Sequence, residues 1–402
     1  MPAKKAPAKT PAKASAKAAK KSVLGLIKSA LTPAPSPALV APKPLLARPK
    51  AKLGTVRLAI IGTGGMANHH AKQFSTIPGC TIVAALDIDH ARAQKFATTH
   101  NIPAVYTDLA TLLAESGCNA VTIVTPDSSH AALSIQCLQA GKHVLCEKPL
   151  ALNAADARRM VAAAEKAGVI NMVNLSYRGW PAIQAAAAIV QSGRIGEVRH
   201  VEANYLQSWL SSKVWGDWRT TPAWLWRLSR KHGSHGVLGD VGVHIVDFAS
   251  FPAGPISKVY CQLKAFAKAP GDQIGEYVLD ANDSAVMNVE FASGALGTIH
   301  TTRWSSGHTN RLFLKISCTL GAIEIDSDKG TNVFRLCDGP NLDKARWRTV
   351  KAPKSLSNYE RFIRSVRTGI NDQPDFSRGA QVQAVLDACL VSAEKDRPVA
   401  VR

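Results

Sequence analysis

Along the chain, one hydrophobic rhythm gives way to another. From residue 55 to about 175, short apolar runs alternate with helical stretches. Val56–Ile61, "TIVAALD", "NAVTIV", "KHVLC" and "VINMVNLS" have strand length and little polar alternation. That is the pattern of strands buried on both faces. Helical segments lie between them, one from about Ser128 and one from Ala154 to Ala167. Strands alternating with helices predict a doubly wound parallel sheet. After residue 176 the period shortens to two. "GEVRHVEANYLQSW", "SKVYCQLKAFA", "SAVMNVEF", "ALGTIHTTRW", "RLFLKISC" and "AIEID" predict a largely antiparallel sheet of about six strands. A closing helix is expected over about 379–395. The fold class is therefore α/β: a Rossmann-like domain at 55–175 and an α/β domain at 176–402.

One helical stretch breaks its own apolar pattern. "GVLGDVGVHIVDFASF", residues 236–251, carries Asp240, His244 and Asp247 among apolar neighbours. Spacings of four and three place them on one helical face. Burying such groups is costly unless they are paired or used.

Composition changes the picture mainly at the N-terminus. The net charge is +20, but residues 1–54 hold eleven Lys, one Arg and no acid, so the remaining body is only mildly basic. This Ala/Pro/Lys/Ser tail cannot build a core and is expected to be disordered. Its open readings are a solvated spacer, a weak contact with nucleic acid or an anionic surface, and a targeting segment. The eight cysteines form no C-x-x-C pair, so free thiols in a reducing compartment, the cytoplasm, are expected rather than a disulfide frame or a metal site. No apolar run approaches the length of a membrane span.

The first strand meets Gly62-Thr63-Gly64-Gly65-Met66-Ala67, a G-x-G-x-x-A turn opening a helix. Gly62 permits the tight turn, Gly64 lets the backbone approach a pyrophosphate, and Ala67 lets helix and strand pack closely. The second strand ends on Asp87, whose carboxylate suits ribose hydroxyls and repels a 2′-phosphate. NAD is expected, with Arg92 keeping NADP open. In such a sheet ligands sit at the carboxyl ends of strands, where Gly62, Asp87, Thr125, Lys148 and Ser176 fall. Lys148 follows an apolar strand and precedes Pro149, a placement that could aim an ammonium at the nicotinamide side; the blander reading is a salt bridge with Glu147. His69 and His70 read as solvated or cofactor-adjacent helix residues.

Taken together, these motifs resemble the Gfo/Idh/MocA oxidoreductases, which act mostly on sugars and polyols. The resemblance covers about residues 55–400 and rests on the G-T-G-G-M-A turn, "TPDSSH", "EKP", "GDVGVHIVD", "YLQSW" before "WRLSRKHGSHG", "HTTRW" and the late "RGAQVQAVLDACLVSAEKDRPVAV". It implies an open-faced C-terminal sheet that serves as the interface of a homo-oligomer, a dimer or tetramer. It places Lys148, Asp240 and His244 at catalytic positions. In that scheme His244 is the base, Asp240 orients it and Lys148 stabilises the alkoxide. The implied cofactor residues are Gly62, Thr63, Gly64, Gly65, Met66, Ala67, Asp87, Thr125, Pro126, Asp127, His130, Glu147, Lys148 and Arg178. Asp127 is a departure, since the family often carries Asn there.

Tyr177, Trp226, Arg227 and Arg303 join Lys148, Asp240 and His244 as the expected substrate groups; Gln207, Trp209, His235 and Asn310 are further candidates. Aromatic faces and polar donors suit a polyhydroxylated ring, and Arg227, Arg230 and Lys231 leave open a carboxylate or phosphate on it. The expected reaction is NAD(P)-dependent oxidation of a secondary hydroxyl of a sugar, inositol or related polyol. The competing readings are a tightly bound-NAD glycosidase or sugar–sugar oxidoreductase, and a nucleotide-sensing regulator without catalysis.

Overall fold

The structure, a computed structural model, describes residues 54–402. The expectations for the basic tail lie outside the described residues. Six strands form the first sheet: β1 Val56–Ile61, β2 Cys80–Leu86, β3 Ala104–Tyr106, β4 Ala120–Ile123, β5 His143–Cys146 and β6 Asn171–Val173. Their order is β3-β2-β1-β4-β5-β6, all parallel. Helices α1 Gly65–Ser75, α2 His90–His100, α3 Leu109–Glu115, α4 Asp127–Gln139 and α5 Ala154–Ala167 make the crossovers. Strand order reverses between β1 and β4, which opens a crevice at their carboxyl ends. Every residue of β4 is buried, as expected for a strand covered on both faces.

After α6, Pro181–Gln191, the chain builds a second sheet from β7 Val198–Gln207, β8 Ile256–Lys264, β11 Ser284–Phe291, β12 Leu296–Thr302, β13 Asn310–Cys318, β14 Gly321–Asp326, β15 Val333–Asp338, β16 Arg348–Lys351 and β17 Val399–Ala400. Two short strands, β9 Gln273–Ile274 and β10 Tyr277–Val278, pair separately. The large sheet runs β16-β15-β14-β13-β7-β12-β11-β8-β17. Its pairs are antiparallel except β12 with β7. It exceeds the expected six strands by three: β16 and β17, at four and two residues, are too short to show alternation, and β15, VFRLCD, breaks its alternation with two consecutive buried residues, Leu336 and Cys337. Val201, Ala203 and Tyr205 of β7 and Leu312, Leu314 and Ile316 of β13 point inward. Their register pairs Leu314 with Ala203 and Ile316 with Val201, so one face forms the core.

The polar stripe is not one regular helix. Leu238–Gly242 is a wide π turn that runs into α7, Val243–Ala253. Such turns are rare and frequent at functional sites, and Asp240 lies in this one. Two helices end the fold, α8 Asn358–Thr368 and α9 Phe376–Lys395. The pattern reading missed α8. It begins with a full capping box between Ser357 and Glu360 and buries Tyr359, Phe362, Ile363 and Val366 against Val56, Leu58 and Leu145 of the parallel sheet. The C-terminal chain thus returns to cover the first sheet. All described residues belong to one compact unit.

Candidate active site

The glycine turn has the shape its sequence requires. Gly62 sits at φ +90°, and a Cβ there would lie 2.8 Å from both Val124 O and Thr125 Cγ2. Only glycine takes that conformation so close to a neighbouring turn. Gly64 and Gly65 instead face open space, with no atom within 4 Å of an added Cβ. The opening lies at the N-terminus of α1, where free N–H groups and the helix dipole favour phosphate. Thr63 N and Oγ1 donate to Asp87 Oδ2 at 2.9 and 2.8 Å. Arg92 adds an Nε bond to the same oxygen at 3.0 Å. Arg92, Asp89 and Thr63 outweigh burial and hold the Asp87 carboxyl well below its ordinary range. Met66 and Ile88 leave apolar side chains exposed beside this opening. The residues therefore fit a dinucleotide: an open cradle for phosphate, a carboxylate for ribose and apolar flanks for a base. Ile88 was missed by the pattern reading, although an isoleucine between Asp87 and Asp89 in a loop is a signal.

Lys148 reaches from the same sheet edge to the second half of the chain. Its Nζ donates to Asp240 O at 2.9 Å and to Asp240 Oδ1 at 3.2 Å. Its backbone N, not its ammonium, binds Glu147, at Oε2. Arg303 Nη2 donates to Asp240 Oδ2 at 3.0 Å, and Arg227 Nε lies 3.7 Å from that oxygen. Three cations thus converge on one carboxylate. Burial opposes the charge on Asp240, but Lys148, Arg303 and Arg227 push its carboxyl far below the usual range. For Lys148, burial is outweighed by Asp240, Glu147 and Asp127, which keep it charged above its ordinary value. Around this cluster lies a cleft of about 170 Å³ lined by Met66, Thr125, Asp127, Trp226, Arg227 and His235 among others. Asp127 occupies the first turn of α4, where the helix dipole accepts a carboxylate.

His244 is buried beside the ring of Tyr177, at 4.6 Å between centroids, and its Nδ1 has no hydrogen-bond partner. Burial first, then Lys148, lowers its pKa to about 3. One expectation of the resemblance changes here: Asp240 spends its oxygens on cations rather than orienting His244. Charge-assisted bonds to ammonium and guanidinium outcompete one to a neutral ring. Tyr177 faces Tyr205 OH at 2.6 Å, and Tyr205 and Gln207 both donate to Asn310 Oδ1. Trp209 donates to Gln207 at 3.1 Å. These substrate candidates hold one another rather than lining the cleft. Arg178, expected at the cofactor, is buried in a bidentate pair with Asp247. Arg378 binds the same carboxylate at 2.7 Å. Asp247 is thus a buried structural anion.

His70 is also buried, contrary to its solvated reading. Its Nε2 lies 2.7 Å from Glu147 Oε1, and Asn174 donates to that oxygen at 2.6 Å. Tyr359 of α8 accepts from Asn174 at 3.0 Å. Glu147 is thereby locked behind Lys148, held low by His70 and Asn174 against the effect of burial.

Comparison with known proteins agrees with this geometry. Residues 56–175 match a family model described as oxidoreductase family, NAD-binding Rossmann fold, and residues 183–324 match the GFO/IDH/MocA C-terminal domain. A levoglucosan dehydrogenase from Pseudarthrobacter phenanthrenivorans is 24% identical over 85% of this chain and 97% of its own length. A 1,5-anhydro-D-fructose reductase from Ensifer adhaerens is 30% identical over 61% of this chain and 68% of its own. The crystal structure of an oxidoreductase domain protein from Kribbella flavida has a TM-score of 0.78 at 30% identity, covering 87% of this chain and 100% of the other.

Proposed function

We infer that this chain, which belongs to the Gfo/Idh/MocA family of NAD-binding oxidoreductases, oxidises a secondary hydroxyl of a sugar or related polyol. The observation that carries this reading is the meeting of Lys148, from the parallel sheet, with Asp240, from the second half, in a cleft that also touches Met66 and Thr125 of the cofactor edge. Sugar substrates are supported by the relatives' names, levoglucosan dehydrogenase and 1,5-anhydro-D-fructose reductase.

Bound nicotinamide supplies the acceptor for the hydrogen that leaves carbon. The Gly62–Ala67 turn and Asp87 would hold the dinucleotide. Lys148, kept charged by Asp240, donates to the carbinol oxygen and stabilises its developing negative charge. His244 is neutral at pH 7 and its Nδ1 is sealed in the interior, so Nε2 is the ring nitrogen that can accept the hydroxyl proton. Trp226, 39% exposed at the cleft, offers an aromatic face to a sugar ring. Arg303 and Arg227 fix Asp240 and close that wall.

The domain boundary in this reading lies near residue 175. Copies pair through the outer face of the large sheet, where Val286 and Leu296 are 46% and 58% exposed. Light scattering would read that assembly.

The test is a nicotinamide fluorescence screen over inositols, aldoses, anhydrosugars and uronates with NAD and NADP in parallel. Turnover on at least one class is expected. Absence of turnover on every class, with NAD still bound, overturns the reaction.

A further inference from the structure

His130 lies in α4 and is completely buried. Its Nδ1 is 2.8 Å from Pro149 O, and its Nε2 is 3.0 Å from Thr125 O. Both partners are backbone carbonyls, which can only accept. A neutral imidazole has a single N–H, so one ring lone pair would then face a carbonyl lone pair in a site closed to water. An imidazolium satisfies both contacts.

The two carbonyls belong to turns with different tasks. Thr125 follows β4 and packs against the glycine turn at Gly62. Pro149 directly follows Lys148. One ring therefore spans the turn beside the dinucleotide cradle and the turn that carries the ammonium.

We propose that His130 is a permanent imidazolium clip whose two N–H groups bind the Thr125 and Pro149 carbonyls and set the separation between the cofactor cradle and Lys148. The resemblance placed His130 among the cofactor residues, but it is fully buried with both ring nitrogens on backbone carbonyls, so it acts as a positioning residue. The importance of that separation rests on the role assigned to Lys148 above. The other titratable groups that face the ring are Cys146 at the end of β5 and Asp127 at the start of α4. Burial opposes the charge, but Cys146, the Pro149 carbonyl and Asp127 outweigh it and raise the pKa to about 10.

The experiment is a long-range proton–nitrogen correlation spectrum of the full chain, labelled with ¹⁵N histidine, recorded without cofactor at pH 8. The expected result is a doubly protonated ring that His130→Gln deletes. If that variant does not fold, through-space contacts to Pro149 assign the ring in the wild type. A His130 ring with one bare nitrogen at pH 8 overturns the clip. In folded His130→Gln, NAD affinity measured by fluorescence should fall about tenfold, the equivalent of one lost hydrogen bond. Unchanged affinity and turnover overturn the positioning role. Protonation is read without turnover, so the two readings fail separately. A Lys148→Met protein with full activity would sink the reaction scheme and leave the clip standing.

Discussion

Lys148 Nζ and Asp240 Oδ1 lie 3.2 Å apart, although 92 residues separate them along the chain. The contact joins the edge of the parallel sheet to the π turn before α7. In the proposed reading it sets a part-buried ammonium where an alcohol would meet the nicotinamide edge. Lys148→Met should lower kcat about 10²–10³-fold, the usual loss for one preorganised donor at a developing oxyanion. Steady-state rates on the best sugar of the screen, with cofactor affinity as control, would measure it. A loss confined to KM would mean that Lys148 only binds.

Asp247 should matter to stability more than to chemistry. Arg178 and Arg378 converge on it in a buried site. Asp247→Ala leaves two buried guanidinium groups without their anion, at a cost of about 3–5 kcal/mol. Thermal unfolding would show the drop. A variant as stable as the wild type would mean that water reaches this site.

In the proposed reading Asp87 and Arg92 set the choice of dinucleotide. The carboxylate already accepts from Thr63, the Asp89 backbone N–H and Arg92, so a ribose hydroxyl would take the place of the half-exposed guanidinium tied to it. Asp87→Ser removes the charge that repels a 2′-phosphate and frees Arg92 to bind one. The ratio of kcat/KM for NADP over NAD should rise at least about tenfold. An unchanged ratio would place the adenosine ribose elsewhere.

The pH dependence of His244 follows from its depressed pKa of about 3. The folded state refuses a proton that the unfolded chain takes up below about 6.5. Its contribution to stability is therefore full above 6.5 and declines as pH falls toward 3. His244→Gln should flatten the acid side of a stability profile measured by denaturant unfolding. Turnover in the wild type should show no His244 limb between pH 6 and 7. An acid limb near 6.5 that vanishes in His244→Gln would mean that the imidazole titrates freely.

The chain's own pattern was enough for much of this. Apolar strand runs alternating with helices determined the parallel sheet, and period-two runs determined the second sheet. The glycine turn and the aspartate just past β2 pointed to the proposed cofactor edge, because these signals are local and short in range. Helix α8 was legible in principle, through its capping box and its apolar positions 359, 362, 363 and 366, but nothing local says which sheet it covers.

Pairing was decided by tertiary structure alone. Three acidic or basic groups on one stretch looked like one stripe, yet Asp240 went to Lys148 and Arg303 while Asp247 went to Arg178 and Arg378. His70 and His130 became buried partners of Glu147 and of two backbone carbonyls. Burial makes each unpaired charge so costly that partners are chosen by whichever opposite group the fold brings within reach. That choice depends on residues tens to hundreds of positions away, and no local spacing encodes it.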